Sequence, residues 1–235
     1  MLEDYCSPQE AYAFAQRILE CPRIKEAIAN NETKLRFGAE LQGDAPGATV
    51  AEIEEFKPEF EALRVWLENR YSAKIEYHPQ MPLPGFHIFT SSAIDGGKPH
   101  ADGQAFSAAN YIGARFLSVW SIVVVLNMPK TGGGIHFWKK SLYEIARQRG
   151  NLSNPMPEHD FTVKLEPGKI LLFDSEQVHQ IQGYEIETLD EARVTLVAHL
   201  GEIEPGRYIY FFDRLKNVRK FFGIEADNRF PGSGY

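Results

Sequence analysis

Pro167-Gly168-Lys169-Ile170-Leu171-Leu172-Phe173-Asp174 is a turn followed by a short apolar run, and the next run, Val178–Gln182, carries His179. A turn, a buried strand and then a histidine return the chain to one end of a β-structure. Working outward, the same signals recur on both sides. Candidate strands are Lys74–His78, Phe86–Ser91, Leu117–Asn127, Gly134–Trp138, Phe161–Leu165, Ile170–Phe173, Val178–Gln182 and Arg193–Leu200. About eight short strands separated by turns suit a double-sheet jelly roll. A helix over Lys140–Arg149 is inserted between two of them, and Pro79–Pro84 reads as a loop. Beyond Arg207, Tyr208–Phe212 reads as strand or loop, Leu215–Phe222 as helix and Asn228–Tyr235 as a loose tail.

The first third has helical periodicity instead. Ser7-Pro8-Gln9-Glu10 is a capping box with proline at the first helical position. Ala11, Phe14, Ala15, Ile18 and Leu19 follow on one face. A second helix is expected over Arg23–Ala29, closed by Asn30-Asn31. Thr49 and Glu52 repeat the capping pattern before a helix that Pro58 interrupts. A further helix then carries Phe60, Leu63, Trp66, Leu67 and Tyr71. The expected layout is one domain over 1–235. Residues 1–72 form a helical support, 73–212 the β core, and 213–235 a C-terminal helix and tail.

Composition narrows the function. Of 235 residues, 43% are hydrophobic and 24% charged, an ordinary soluble balance. The net charge of −7 argues against a nucleic-acid partner, which needs a basic face. Cys6 and Cys21 make no disulfide framework and no zinc spacing, which suits a reducing, cytoplasmic setting. The longest apolar run, Ile122–Leu126, is too short to span a bilayer. The acidic start, Met1 to Asp4, leads into no signal core.

His100-Ala101-Asp102 sets an imidazole and a carboxylate two residues apart, on one side of an extended segment. No other histidine of the seven has a carboxylate two positions later. Alone, the pair reads better as a polar loop after Gly96-Gly97. His179 supplies a third ligand from a distant strand. Two imidazoles and one carboxylate hold iron(II) while leaving positions open for O2 and a substrate. Arg193 is the first cation after Lys169, and it shares a strand face with Thr195. An inward arginine beside a hydroxyl is costly unless paired. A buried dicarboxylate would pair it, through a bidentate guanidinium and a hydroxyl donor.

The ordered set resembles the 2-oxoglutarate/iron(II) oxygenase superfamily of the prolyl-hydroxylase-like kind. It comprises His100-x-Asp102, a valine-rich strand ending at Asn127, Gly132-Gly133-Gly134 leading to Phe137, Pro167-Gly168-Lys169 leading to Phe173, His179, and Arg193-x-Thr195. The resemblance covers about residues 77–200 and implies a double-stranded β-helix. It implies iron on His100, Asp102 and His179, and 2-oxoglutarate held by Arg193 and Thr195. O2 would be the second co-substrate, and hydroxylation of a small molecule (an amino acid or natural-product intermediate) the reaction. Related halogenases lack the carboxylate to make room for chloride, so Asp102 disfavours halogenation.

Other residues take plainer readings. His87 and His136 are expected as hydrogen-bonded strand residues, and His199 is assigned no role. Gln104, Phe106, Trp120 and Trp138 are candidate substrate contacts, although strand aromatics usually pack. Gly132-Gly133-Gly134 is a tight turn, since no Lys-Ser/Thr follows to make a phosphate cradle. Two other readings stay open: a cupin-like metal enzyme that needs no 2-oxoglutarate, and a non-enzymatic jelly-roll binding module.

Overall fold

The computed structural model of the protein describes residues 1–37, 54–78, 83–102, 113, 115–149 and 156–211. The capping box forms as the sequence requires. Ser7 Oγ accepts from the Glu10 amide and the Glu10 carboxylate accepts from the Ser7 amide. This starts helix α1 (Pro8–Leu19), which buries Ala11, Ala15, Ile18 and Leu19. Helix α2 (Pro22–Ala29) follows, and Asn31 leaves it in the left-handed region at φ 62°. Helix α3 (Lys57–Tyr71) buries Phe60, Leu63 and Leu67. Pro58 lies in its first turn, where a missing amide donor costs nothing, so it opens this helix. The Thr49–Glu52 pattern lies outside the described residues.

The β core comprises a large sheet and smaller ones facing it. In the large sheet, β12 (Arg193–Glu204) is central. Along one side it pairs with β5 (Ser118–Asn127), which pairs in turn with β9 (Lys169–Asp174). On its other side the first half takes β4 (Gly85–Phe89) and the second half β13 (Arg207–Phe211), with β3 (Lys74–Tyr77) beyond. The smaller sheet has β10 (Val178–Ile181), β7 (Ile135–Trp138) and β8 (Phe161–Val163) side by side. A short pair joins β6 (Thr131–Gly132) to β11 (Tyr184–Glu185). The chain crosses repeatedly between layers: β5 large, β7 and β8 small, β9 large, β10 small, β12 large. That winding is a double-stranded β-helix.

Two large-sheet strands come from the first 72 residues. β1 (Leu2–Asp4) pairs with β9 at one edge, and β2 (Lys34–Phe37) pairs with β4 at another. Segments of three and four residues are too short to display a period, and an edge strand needs only one neighbour. Helix α4 (Leu142–Arg149) lies between β7 and β8, and its Ile145 packs on Trp138 and Val178. The expected helix and tail from 213 onward lie outside the described residues.

Alternation on each strand divides the core in two. One side of the large sheet, with Ile122, Val124, Val194 and Leu196, meets the helices. The other side, with Val123, Val125, Leu171, Phe173 and Val197, meets Ile135 and Phe137 of the small sheet. No helix among the described residues is long and apolar enough to cross a membrane.

Candidate metal centre

The histidines and aspartate singled out in the sequence converge between the sheets. One ligand atom from each of His100, Asp102 and His179 lies within 4.8 Å of the other two. His100 Nε2 is 3.6 Å from Asp102 Oδ1, and His179 Nε2 is 3.7 Å from Asp102 Oδ2. Backbone pairing sets this up. His100 and His179 form an antiparallel bridge, and the Asp102 amide donates to the Ser175 carbonyl at 2.7 Å. The Gln180 side chain anchors the approaching loop by donating to the Gly97 and Asp95 carbonyls at 2.7 and 3.2 Å.

The rings are oriented for coordination. His100 Nδ1 lies 2.8 Å from the Lys98 carbonyl, and His179 Nδ1 lies 2.9 Å from the Gln177 carbonyl. A carbonyl only accepts, so each Nδ1 carries the proton and each Nε2 keeps its lone pair for a cation. Asp102 is held from the side: Ser121 Oγ donates to its Oδ2 at 2.7 Å. Ser121 also meets Ser175 Oγ at 2.8 Å and His199 Nδ1 at 3.3 Å. Burial pushes the Asp102 carboxyl up, but His179, His199, His100 and the Ser121 hydroxyl outweigh it and hold it below its usual range. Burial likewise lowers His179, against the pull of Asp102. Two imidazoles and one carboxylate, all on one side, fit iron(II) and leave the opposite side open.

Arg193 and Thr195 line the same cavity. Arg193 is 2% exposed, and its Nε donates to the Gly133 carbonyl at 3.1 Å. Its guanidinium lies 5.7 Å from the centroid of the Phe89 ring. Among the described residues no carboxylate pairs with it, and burial lowers its pKa to about 10. Thr195 Oγ1 is buried with no hydrogen-bond partner among the described residues. Asn127 fixes where this strand starts, donating to the Asp190 and Ala192 carbonyls at 2.7 and 2.9 Å. The Gly132-Gly133 turn that offers its carbonyl to Arg193 has φ of 73° and 75°. At Gly132 a Cβ would lie 1.9 Å from the Gly183 carbonyl oxygen, so only glycine fits.

The other candidates separate. Trp120 lies on the helix-facing side of β5, paired with Leu200, and lines a different cavity with Tyr71, Leu172 and Tyr208. Trp138 is buried, donates to the Pro157 carbonyl and packs on Ile145 and Val178. Neither faces the metal ligands, because each occupies the wrong parity on its strand. Gln104 and Phe106 lie outside the described residues. His136 faces away and stacks on His159, with its Nδ1 2.7 Å from Thr162 Oγ1.

The polar lining residues to which the sequence assigned no role in the site are Arg36, His87, Ser121 and His199. His199 was legible, since it continues the alternation from Arg193 through Thr195. His87 stands opposite Thr195, and its imidazole is lowered well below the usual value by burial, then by Arg36 and Arg193. Arg36 had no signal without β2.

No protein-family model matches the chain, and a sequence search of curated proteins returns no match. Solved structures similar to it include a non-heme alpha-ketoglutarate-dependent epimerase, SnoN, from nogalamycin biosynthesis. That likeness has a TM-score of 0.48 at 17% identity, over 96% of this chain and 84% of that one. A Pseudomonas putida prolyl-4-hydroxylase gives 0.44 at 13% identity, over 87% and 92%. An N-substituted L-amino acid dioxygenase from Burkholderia ambifaria AMMD gives 0.44 at 17% identity, over 69% and 71%.

Proposed function

We propose that this protein is a non-haem iron(II) enzyme that uses 2-oxoglutarate and O2 to hydroxylate a C–H bond of a small molecule. The observation that carries this reading is one cavity holding both His100–Asp102–His179 and the buried Arg193, which has no acid partner among the described residues, beside Thr195. A metal site alone would suit a cupin-like enzyme equally. A buried guanidinium beside an unsatisfied hydroxyl needs an anion, and the distal carboxylate of 2-oxoglutarate provides it.

Bound to the three side chains, iron would supply O2 activation, which no amino-acid side chain offers. The remaining tasks belong to the protein. Ser121 keeps the Asp102 carboxylate oriented, and the Lys98 and Gln177 carbonyls keep both rings in one tautomer. Arg193 and Thr195 fix the far end of the co-substrate. Val123, Ile135, Phe173 and Val197 line the cavity with apolar surface that disfavours water. Asp102 occupies the position a halide would need, so hydroxylation is the expected outcome. We read 1–235 as a single oxygenase domain. Cys6 and Cys21 are free thiols, which suits a cytoplasmic protein.

The test is succinate release by protein loaded with iron(II), with and without 2-oxoglutarate, across amino acids and related small molecules. Succinate formed only with iron, and a product gaining one oxygen atom from O2, support the reading. Iron binding with no 2-oxoglutarate binding would leave the cupin-like alternative. A protein that takes up no metal would leave the binding module.

A further inference from the structure

The two histidine ligands are secured unequally. His179 is buried, with the ring centroids of Phe173 and Phe137 at 4.8 and 6.1 Å from its own. The His100 side chain is half exposed. Its Nδ1 is oriented by the Lys98 carbonyl, two residues back on the same loop. That carbonyl is fixed only as well as the loop that carries it, so whatever holds the loop also holds the ligand.

Strand β10 holds it. This strand ends the small sheet, with β7 on one side. The loop closes its other edge: the Gly97 amide donates to the Ile181 carbonyl at 2.9 Å, and the His100–His179 bridge follows. The approach is so close that a Cβ on Gly96 would lie 2.1 Å from the Ile181 carbonyl oxygen. Alternation turns His179 toward the metal ligands and Gln180 to the opposite face. From there Gln180 Nε2 reaches the loop and donates to the Gly97 and Asp95 carbonyls at 2.7 and 3.2 Å. The Gly97 carbonyl belongs to the peptide immediately before the one that orients His100. One strand thus supplies the buried ligand from one face and, from the other, the clamp on the exposed ligand's loop.

We propose that Gln180 is a positioning residue of the metal centre, which fixes the His100 ring through Gly97 and Lys98 and so slows loss of the ion. This rests on reading His100, Asp102 and His179 as the ligands, and is independent of the co-substrate. Removing the Gln180 amide takes away no ligand atom. It should change how long the ion stays, because the half-exposed ligand swings with its loop.

The experiment compares the full wild-type chain with Gln180→Leu and Gln180→Lys. Leucine removes the donor at similar bulk, and lysine restores a donor of similar reach. Each protein is loaded with iron(II) under argon in about 0.3 M salt, where an added exposed charge is largely screened. Release of iron to a chelator is timed. Cobalt(II) loaded in its place reports the ligand set through its visible spectrum, and hydrogen exchange is followed across 95–100 in the metal-free chain. Gln180→Leu should release iron about tenfold faster, alter the cobalt spectrum and speed exchange at the Gly97 and His100 amides. Gln180→Lys should recover part of each effect. Wild-type iron release and cobalt spectrum in Gln180→Leu would overturn the inference, even beside a lowered thermal midpoint, since that combination means packing alone. Gln180→Lys behaving no better than Gln180→Leu would overturn it as well. Wild-type protein that binds no iron would overturn the metal-centre reading itself and, with it, this role of Gln180.

Discussion

His100 and His179 are held opposite one another by reciprocal backbone hydrogen bonds, His100 N to the His179 carbonyl at 2.9 Å and His179 N to the His100 carbonyl at 2.8 Å. Their ring centroids are 4.3 Å apart. Two residues remote in sequence are thereby fixed by main-chain atoms, before any metal contributes. Preorganisation of this kind keeps the ligand set together when a side chain is removed.

That arrangement separates metal binding from folding. His100→Ala, Asp102→Ala and His179→Ala should each abolish stoichiometric iron binding and turnover. Far-UV circular dichroism should stay that of the wild type, because the bridge uses no side-chain atoms. His179 is buried, so its truncation is expected to cost about 1–3 kcal/mol. Half-exposed His100 should cost less. Full iron occupancy in the His179→Ala protein would remove the three-ligand site.

Arg193→Met should behave oppositely for stability and for binding. The free protein bears the cost of a buried cation with no acid partner among the described residues, so an apolar side chain of similar length should leave the thermal midpoint unchanged or raised. Affinity for 2-oxoglutarate should fall on the order of a hundredfold or more, with iron content unaltered. Arg193→Lys should retain only part of it, since an ammonium cannot form the two-pronged contact. Thermal melts with and without 2-oxoglutarate measure both effects. Unchanged 2-oxoglutarate affinity in Arg193→Met would place the carboxylate pocket elsewhere.

The sequence carried this site unevenly, for physical reasons. Ligand chemistry was readable because His-x-Asp and a distant strand histidine are rare together, and period two fixed the shared face of Arg193 and Thr195. The same rule would have excluded Trp120, which has the parity of Ile122 and Val124 on the helix side. It would also have admitted His199. Arg36 differs in kind. It reaches the cavity only because β2 pairs with β4, and a four-residue edge strand leaves no periodic trace. Ser121 was equally silent, since a serine in a valine-rich strand has no signature until its hydrogen-bond partners are known.

Acid should loosen the attachment of the N-terminal strand to α3. Glu3 on β1 accepts from Arg70 Nε at 2.6 Å and from Tyr71 OH at 2.9 Å, both on α3. The Arg70 hydrogen bond, chiefly, holds the Glu3 carboxyl below the usual glutamate range in spite of its desolvation. A folded-state value below the unfolded one stabilises above the unfolded value, and that share is lost as pH falls through the folded value. Glu3→Gln should therefore lower the urea midpoint slightly at neutral pH. The difference from wild type should shrink to nothing in strong acid. A constant difference at every pH would assign the effect to packing of β1.

The last expectation concerns Ser121, whose hydroxyl joins Asp102 to Ser175 and His199. One hydrogen atom on Ser121 Oγ is directed at Asp102 Oδ2, so the carboxylate has one oxygen anchored and the other, Oδ1, turned toward His100 Nε2. Removing that anchor frees the carboxylate to rotate and leaves an ionised group with one partner fewer in a buried setting. Ser121→Ala should weaken iron(II) affinity about tenfold to a hundredfold, the range typical for groups that orient a metal ligand. At saturating iron, 2-oxoglutarate affinity should remain near wild type, because Arg193 and Thr195 are untouched. Ser121→Thr restores a hydroxyl and should recover part of the affinity. Iron titration under argon, followed by 2-oxoglutarate titration of the loaded protein, separates the two effects. If Ser121→Ala bound iron as tightly as wild type, Asp102 would be held by its own backbone contact to Ser175, and the serine would serve packing alone.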